Sequence, residues 1–285
     1  MSFSSSLAAL RAGMFLLVAS LSTVCAIAHA EPAPASPSKS VEHPGCFLLM
    51  ELKSGKVTRI HPELCSKRLP PASTFKVPHA LIALETGVLS GPEEVRRWDG
   101  TRYDIQAWNQ DQTLDTAMRR SALWFFQGTA KQIGRERMTD WLGRLRYGNQ
   151  DTSGELTQFW LNGTLRITPE EQLDFMARLY RNELPVSERS REIVKRTLAQ
   201  GPDTVANTRS GIALYGPWKD GAVLSAKTGF ARLESEGDVT WLVGHVQTPR
   251  GAYVFVSSVA TPTRQQEPPA ALVSGIAALK DLGVL

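Results

Sequence analysis

Ser73-Thr74-Phe75-Lys76 sets a hydroxyl and an amine three residues apart. On a helix, residues at that spacing share a face, with Cβ atoms roughly 5–6 Å apart. Such a pair can act as nucleophile and proton acceptor. The residues that follow form an apolar run, Val77-Pro78-His79-Ala80-Leu81-Ile82-Ala83-Leu84, that closes on Gly87. That is the pattern of a helix stopped by a glycine cap. Ser73 then falls at a helix N-terminus, where outward-pointing backbone N–H groups favour developing negative charge. Nucleophile, base and anion-stabilising backbone together describe acyl transfer. An isolated tetrapeptide of this kind is more often a capped helix start than a catalytic centre, so the reading rests on what else the chain supplies.

Three further segments supply it. Lys227-Thr228-Gly229 closes a segment of strand composition; a cation and a hydroxyl there can hold a substrate carboxylate, while the glycine lets substrate approach the backbone. The bland alternative is a surface strand end with a turn glycine. Ser121-Ala122-Leu123-Trp124 lies in a helical region, and a hydroxyl there can relay a proton to a leaving nitrogen. Tyr147-Gly148-Asn149 follows a helix and reads as a turn.

The elements that must carry these residues are legible in part. Residues 46–51 read as a buried strand, 53–56 as a turn and 57–60 as a returning strand. Thr168-Pro169-Glu170-Glu171 is a capping box with proline at the first helical position. Residues 187–200 read as a helix stopped by Gly201-Pro202, and residues from about 92 to 200 as mostly helical. Strand composition returns at 222–228, 239–247 and 252–259, with a turn at 248–251. The tail from 268 to 285 has helical spacing. The expected fold is therefore α+β: an antiparallel sheet of about five strands from both chain ends (45–66 and 221–285), with a mostly helical block (73–200) inserted between.

Composition narrows the class. Arg11, an apolar stretch from Met14 to about Ile27, and Ala28-His29-Ala30 fit a secretory signal over residues 1–30. The apolar stretch is too short and interrupted for a membrane span, and residues 31–44, rich in Pro, Ala and Ser, read as a flexible leader. About 255 residues follow the signal, enough for one domain over 45–285 or two intimate subdomains. The net charge of +4 is modest, and no basic run carries interleaved aromatics, which sets nucleic acid aside. Past the signal only Cys46 and Cys65 remain. In an exported chain that pair reads as a disulfide, the alternative being two buried thiols. His43, His61, His79 and His245 are scattered, with no H-E-x-x-H, so no metal site is expected; nor is there a G-x-S-x-G.

Taken together, the four segments resemble the four motifs of class D (oxacillinase-type) serine β-lactamases, in that family's order, with Phe159-Trp160-Leu161 and residues 71–87 adding to the likeness. The resemblance implies hydrolysis of β-lactams through an acyl-enzyme on Ser73, with the backbone N–H groups of Ser73 and Phe230 as oxyanion hole. It implies that Lys76 is carboxylated by carbon dioxide and serves as general base, with no other cofactor. Trp160 would donate its indole N–H to that group, Leu123 would wall it, Ser121 would shuttle a proton, and Lys227, Thr228 and Gly229 would hold substrate. Burial makes the lysine chemistry reasonable, because desolvation lowers a lysine pKa and only a neutral amine adds carbon dioxide.

Two features depart from the family pattern. Its second motif usually ends in valine, where this chain has Leu123, and its carboxylate-anchoring arginine has no clear match, Arg264 and Arg232 being the candidates. The main rival is a penicillin-binding protein or β-lactam sensor domain that acylates but deacylates slowly. Those proteins usually carry asparagine where Leu123 stands. The expectation is a periplasmic enzyme acting on small β-lactams, not held in the membrane once the signal is cut, as monomer or homodimer.

Overall fold

A computed structural model describes residues 44–285 apart from 162, 203, 205–211, 235–236, 263 and 265–267. The expected signal peptide and nearly all of the leader lie outside the described residues. Five strands form one antiparallel sheet: β1 (Cys46–Glu51), β2 (Val57–Ile60), β3 (Val223–Leu233), β4 (Gly237–Thr248) and β5 (Gly251–Thr261), in the order β2-β1-β5-β4-β3. Cys46 pairs with Ser258 and Glu51 with Tyr253, so the N-terminal hairpin joins the C-terminal meander at the centre of the sheet. Among the described residues seven α-helices accompany it: α1 (Lys76–Glu85), α2 (Leu114–Arg120), α3 (Leu123–Ile133), α4 (Arg135–Leu145), α5 (Pro169–Tyr180), α6 (Glu188–Thr197) and α7 (Ala270–Asp281).

Period-two alternation distributes the core. Leu48 of β1 joins the larger apolar cluster with α1, α3 and α5, while its neighbours Phe47 and Leu49 join a second cluster with Leu272, Ile276 and Leu279 of α7. Helices thus cover both faces, which explains why β1 is a continuous apolar run and not an alternating one. Cys46 and Cys65 form a disulfide, with Cα atoms 5.1 Å apart.

Thr168 caps α5 as the sequence predicts: its side chain accepts from the Glu171 N–H at 3.0 Å, and the Glu171 carboxylate accepts from the Thr168 N–H at 2.9 Å. Three expectations are corrected. Ser73 sits in a 3-10 turn, Ala72–Phe75, and α1 proper begins at Lys76. The helix expected over 187–200 ends at Thr197, with Ser187 as its cap. Strand β3 does not stop at Thr228 but runs to Leu233, because Phe230, Ala231, Arg232 and Leu233 alternate outward and inward and pair with residues 237–240 of β4. Lys227-Thr228-Gly229 is therefore in the middle of an edge strand, not at a strand end.

Candidate active site

The 3-10 turn that carries Ser73 is held from several sides. The Ala72 N–H donates to the Trp160 carbonyl at 2.8 Å. Thr74 Oγ1 donates to the Pro71 carbonyl at 2.6 Å and accepts from Gln172 Nε2 of α5 at 2.7 Å. The turn leads straight into α1, so Lys76 Nζ meets Ser73 Oγ at 2.8 Å. Lys76 is only 1% exposed, with the Phe126 ring 5.4 Å from its nitrogen. Burial, and secondarily the charge of Lys227, hold its pKa well below the ordinary lysine range. A neutral amine at this distance can take the Ser73 hydroxyl proton.

His79, one turn further along α1, lies behind this pair, its ring against Phe75, Phe126 and Trp160 at 5.5, 5.2 and 5.7 Å. Thr129 Oγ1 lies 3.0 Å from the Phe126 carbonyl and 3.0 Å from His79 Nε2. Burial, and secondarily the charge of Lys76, pull the His79 pKa down to about 3, so the imidazole is neutral.

Ser121 ends α2 in the left-handed region, φ 56° and ψ 34°, an uncommon conformation for a residue with a side chain. Its Oγ accepts from Lys227 Nζ at 3.0 Å, and Lys227 Nζ also donates to the Thr228 carbonyl at 3.1 Å. Lys227 is 5% exposed, and desolvation brings its pKa down to about 7. Two buried lysines without a carboxylate partner among the described residues therefore flank one serine pair.

Gly229 explains how β3 comes so close to the serine turn. A Cβ placed there would meet the Pro71 carbonyl and Thr74 Cγ2 at 3.1 Å and Trp241 Cβ at 3.2 Å. The glycine is a close-packing requirement, not a turn signal. Next to this contact opens a groove of about 270 Å³, lined by Ser73, Leu123, Leu161, Phe230 and Arg232 among others. Phe230 is 43% exposed at its edge. Arg232 lies over the Phe230 ring at 5.3 Å and holds Asp238 through two contacts of 2.9 and 3.1 Å.

The chain is similar to characterised proteins over most of its length. The family model for the penicillin binding protein transpeptidase domain matches residues 45–276. The probable beta-lactamase YbxI of Bacillus subtilis (strain 168) is 40% identical over 215 residues, 75% of this chain and 74% of that one. Beta-lactamase OXA-48 of Klebsiella pneumoniae is 41% identical over 194 residues, 68% and 66% of the two chains. The regulatory protein BlaR1 of Bacillus licheniformis is 35% identical over 211 residues, 74% of this chain and 32% of that one. A solved class D beta-lactamase from Bacillus subtilis superposes with a TM-score of 0.72 at 35% identity, covering 86% of this chain and 93% of that one. This chain belongs to the class D β-lactamases. It is a serine hydrolase of the β-lactam ring, with the α+β transpeptidase fold of that family.

Within this class D site the expected residues are not all neighbours of one another. Ser73, Leu123 and Phe230 line the open groove, whereas Ser121, Lys227 and Thr228 line a smaller cavity beside it. Trp160 is fully buried, stacked on Phe75 at 5.5 Å, and among the described residues its indole N–H has no acceptor. Tyr147 is a buried wedge, edge-on to Phe175 at 5.0 Å. Asn149 fastens the loop before α5, its Oδ1 accepting from the Arg166 N–H at 2.8 Å and its Nδ2 donating to the Thr164 carbonyl at 2.9 Å. Of the two candidate arginines, Arg232 lines the groove; Arg264 is exposed and does not. Trp108 and Gln158 line the groove as well, and neither carries a sequence signal that marks it.

Proposed function

We propose that this β-lactamase works through a Ser73 acyl-enzyme, with Lys76 in carboxylated form as its general base. The observation that carries the reading is the 2.8 Å contact between Ser73 Oγ and a buried Lys76 nitrogen whose charged form is disfavoured. Ser73 Oγ attacks the lactam carbonyl, its proton passing to the base, and the C–N bond of the ring then breaks. The Ser73 and Phe230 N–H groups receive the carbonyl oxygen. Support for Phe230 comes from the tight Gly229 contact, which brings that strand against the serine turn. Ser121, already hydrogen-bonded to Lys227, delivers a proton to the leaving nitrogen. Lys227 and Thr228 orient the substrate carboxylate.

Carbon dioxide fits the Lys76 pocket on two grounds. Burial disfavours the charged amine, and the indole N–H of Trp160, whose ring stacks on Phe75 next to Lys76 in the chain, is a buried donor with no acceptor among the described residues. Such a donor costs free energy until it finds an acceptor. When bound, carbon dioxide turns the lysine into a carboxylate-type base. Leu123, at the groove wall, keeps the neighbourhood apolar where asparagine would favour the ammonium. That same residue argues against the rival reading, a sensor or penicillin-binding protein that holds its acyl group.

Export to the periplasm is part of the reading, supported by the signal-like pattern over 1–30 and by a disulfide suited to an oxidising compartment. Among the described residues no helix is long and apolar enough to cross a membrane.

A steady-state assay with a penicillin and a chromogenic cephalosporin, with and without bicarbonate, tests the function. Many turnovers per enzyme, raised by bicarbonate in carbon-dioxide-depleted buffer, are expected. One stoichiometric acylation without turnover would place the chain with the acyl-trapping relatives.

A further inference from the structure

The Ser121–Lys227 pair lines a cavity of about 20 Å³, together with Arg119, Thr197, Gln200 and Thr204 among others. Gln200 is the residue of interest. Its Nε2 donates to the Ala226 carbonyl at 2.7 Å and to the Leu198 carbonyl at 2.9 Å. Both partners are acceptors only, so the amide cannot be turned round, and Oε1 must face away from them. That oxygen is buried and has no donor among the described residues. Across the same cavity, Lys227 Nζ uses two of its contacts on Ser121 Oγ and the Thr228 carbonyl. An ammonium has three N–H groups, so one is left over. An unsatisfied acceptor and a spare donor thus line one space, and about 10–15 Å³ of such space is enough for a water with polar partners.

We propose that Gln200 is a positioning residue of the active site: its Oε1 and Lys227 Nζ hold one buried water between them in this cavity. The water accepts from the lysine N–H and donates to Gln200 Oε1. It solvates the ammonium, so Lys227 keeps its charge while its other two N–H groups stay on Ser121 Oγ and the Thr228 carbonyl. The inference rests on the proposed role of Lys227 in binding the substrate carboxylate.

Among the described residues the other charges near Lys227 are few. Lys76 approaches from α1 and acts electrostatically with it. Arg119 comes from α2, paired with Asp115 at 2.7 Å. On β4, Val243 faces Lys227 in register, and His245 lies two residues further on, stacked on Tyr180 of α5. The residues of and after α6 that line the cavity, Thr197, Gln200 and Thr204, are uncharged.

The test compares wild type, Gln200→Leu and Gln200→Glu. Lys227 is titrated directly, by NMR of ¹³Cε-labelled lysine assigned with a Lys227→Arg variant, alongside the pH profile of kcat/KM for a penicillin. Gln200→Leu removes the acceptor and should lower the Lys227 pKa by about one unit. Gln200→Glu places a carboxylate across the water and should raise it by about one unit or more. The alkaline limb of kcat/KM should move with it in each variant. A merely structural glutamine would change activity without moving the titration in opposite directions. Titrations that stay put, or move the same way in both variants, overturn the proposal. Titrations that move as expected while the kcat/KM limb does not would keep the water but remove Lys227 from carboxylate binding, a failure of the functional reading instead.

Discussion

Replacing Trp160 by phenylalanine isolates one hydrogen-bond donor in a pocket that otherwise stays filled. The indole N–H is buried with no acceptor among the described residues, while its ring stacks on Phe75 and meets His79 and Phe159 edge-on at 5.7 and 5.1 Å. Phenylalanine keeps most of those ring contacts and deletes the donor. In the uncarboxylated fold the orphan N–H costs about 1–3 kcal/mol, so its loss offsets the smaller ring's packing deficit, and thermal stability should change little. The effect on the base is different. A hydrogen bond to a charged group contributes about 1.5–3 kcal/mol, which at about 1.4 kcal/mol per decade is a roughly 10- to 150-fold loss of carbon-dioxide affinity at Lys76. The assay is initial rate against added bicarbonate in degassed buffer, read as the half-saturating concentration. Trp160→Phe should need correspondingly more bicarbonate to reach its plateau. A variant that melts near the wild-type temperature yet saturates at the same bicarbonate concentration would refute the role given to Trp160.

Three other outcomes are expected. Lys76→Ala removes the amine that contacts Ser73 Oγ; kcat should fall by at least about 10³, and intact-mass spectrometry should find any residual acylation stalled as an adduct. Cys46→Ser opens the loop of sequence separation 19, worth about 3 kcal/mol in the chain-entropy model, so Tm under oxidising conditions should drop by about 6–12 °C; an unshifted Tm would show that the bridge does not form. His79 has a folded pKa of about 3, below its unfolded value of about 6.5. As pH falls below 6.5 the unfolded chain binds a proton that the native chain refuses, so stability declines by up to about 1.4 kcal/mol per unit. Urea titrations between pH 6 and 5 should lose about one proton's worth of that slope in His79→Gln, and an unchanged slope would mean that His79 is charged in the native protein.

Local chemistry wrote much of this protein into its sequence. The limits of β1 and β2 follow from an apolar run, a turn and a returning strand, and the Thr168 cap from a four-residue pattern, because such features depend on neighbours in the chain. The four motifs likewise name the side chains proposed to react, since nucleophile, amine and relay must each be a particular residue type. What the sequence could not carry is environment. Gly229 reads locally as a turn residue, yet Pro71, Thr74 and Trp241 crowd the place of a Cβ to 3.1–3.2 Å, and β3 continues past it because residues 230–233 pair with β4. The lowered pKa of Lys76 comes from burial and from Lys227, which is distant in sequence. The low pKa of His79 likewise comes from its burial among rings of other segments, and the groove takes Trp108 and Gln158 from outside the four motifs. Residue types fix which reactions are available, but desolvation and close approach depend on every atom within a few ångströms, and only the folded chain assembles those.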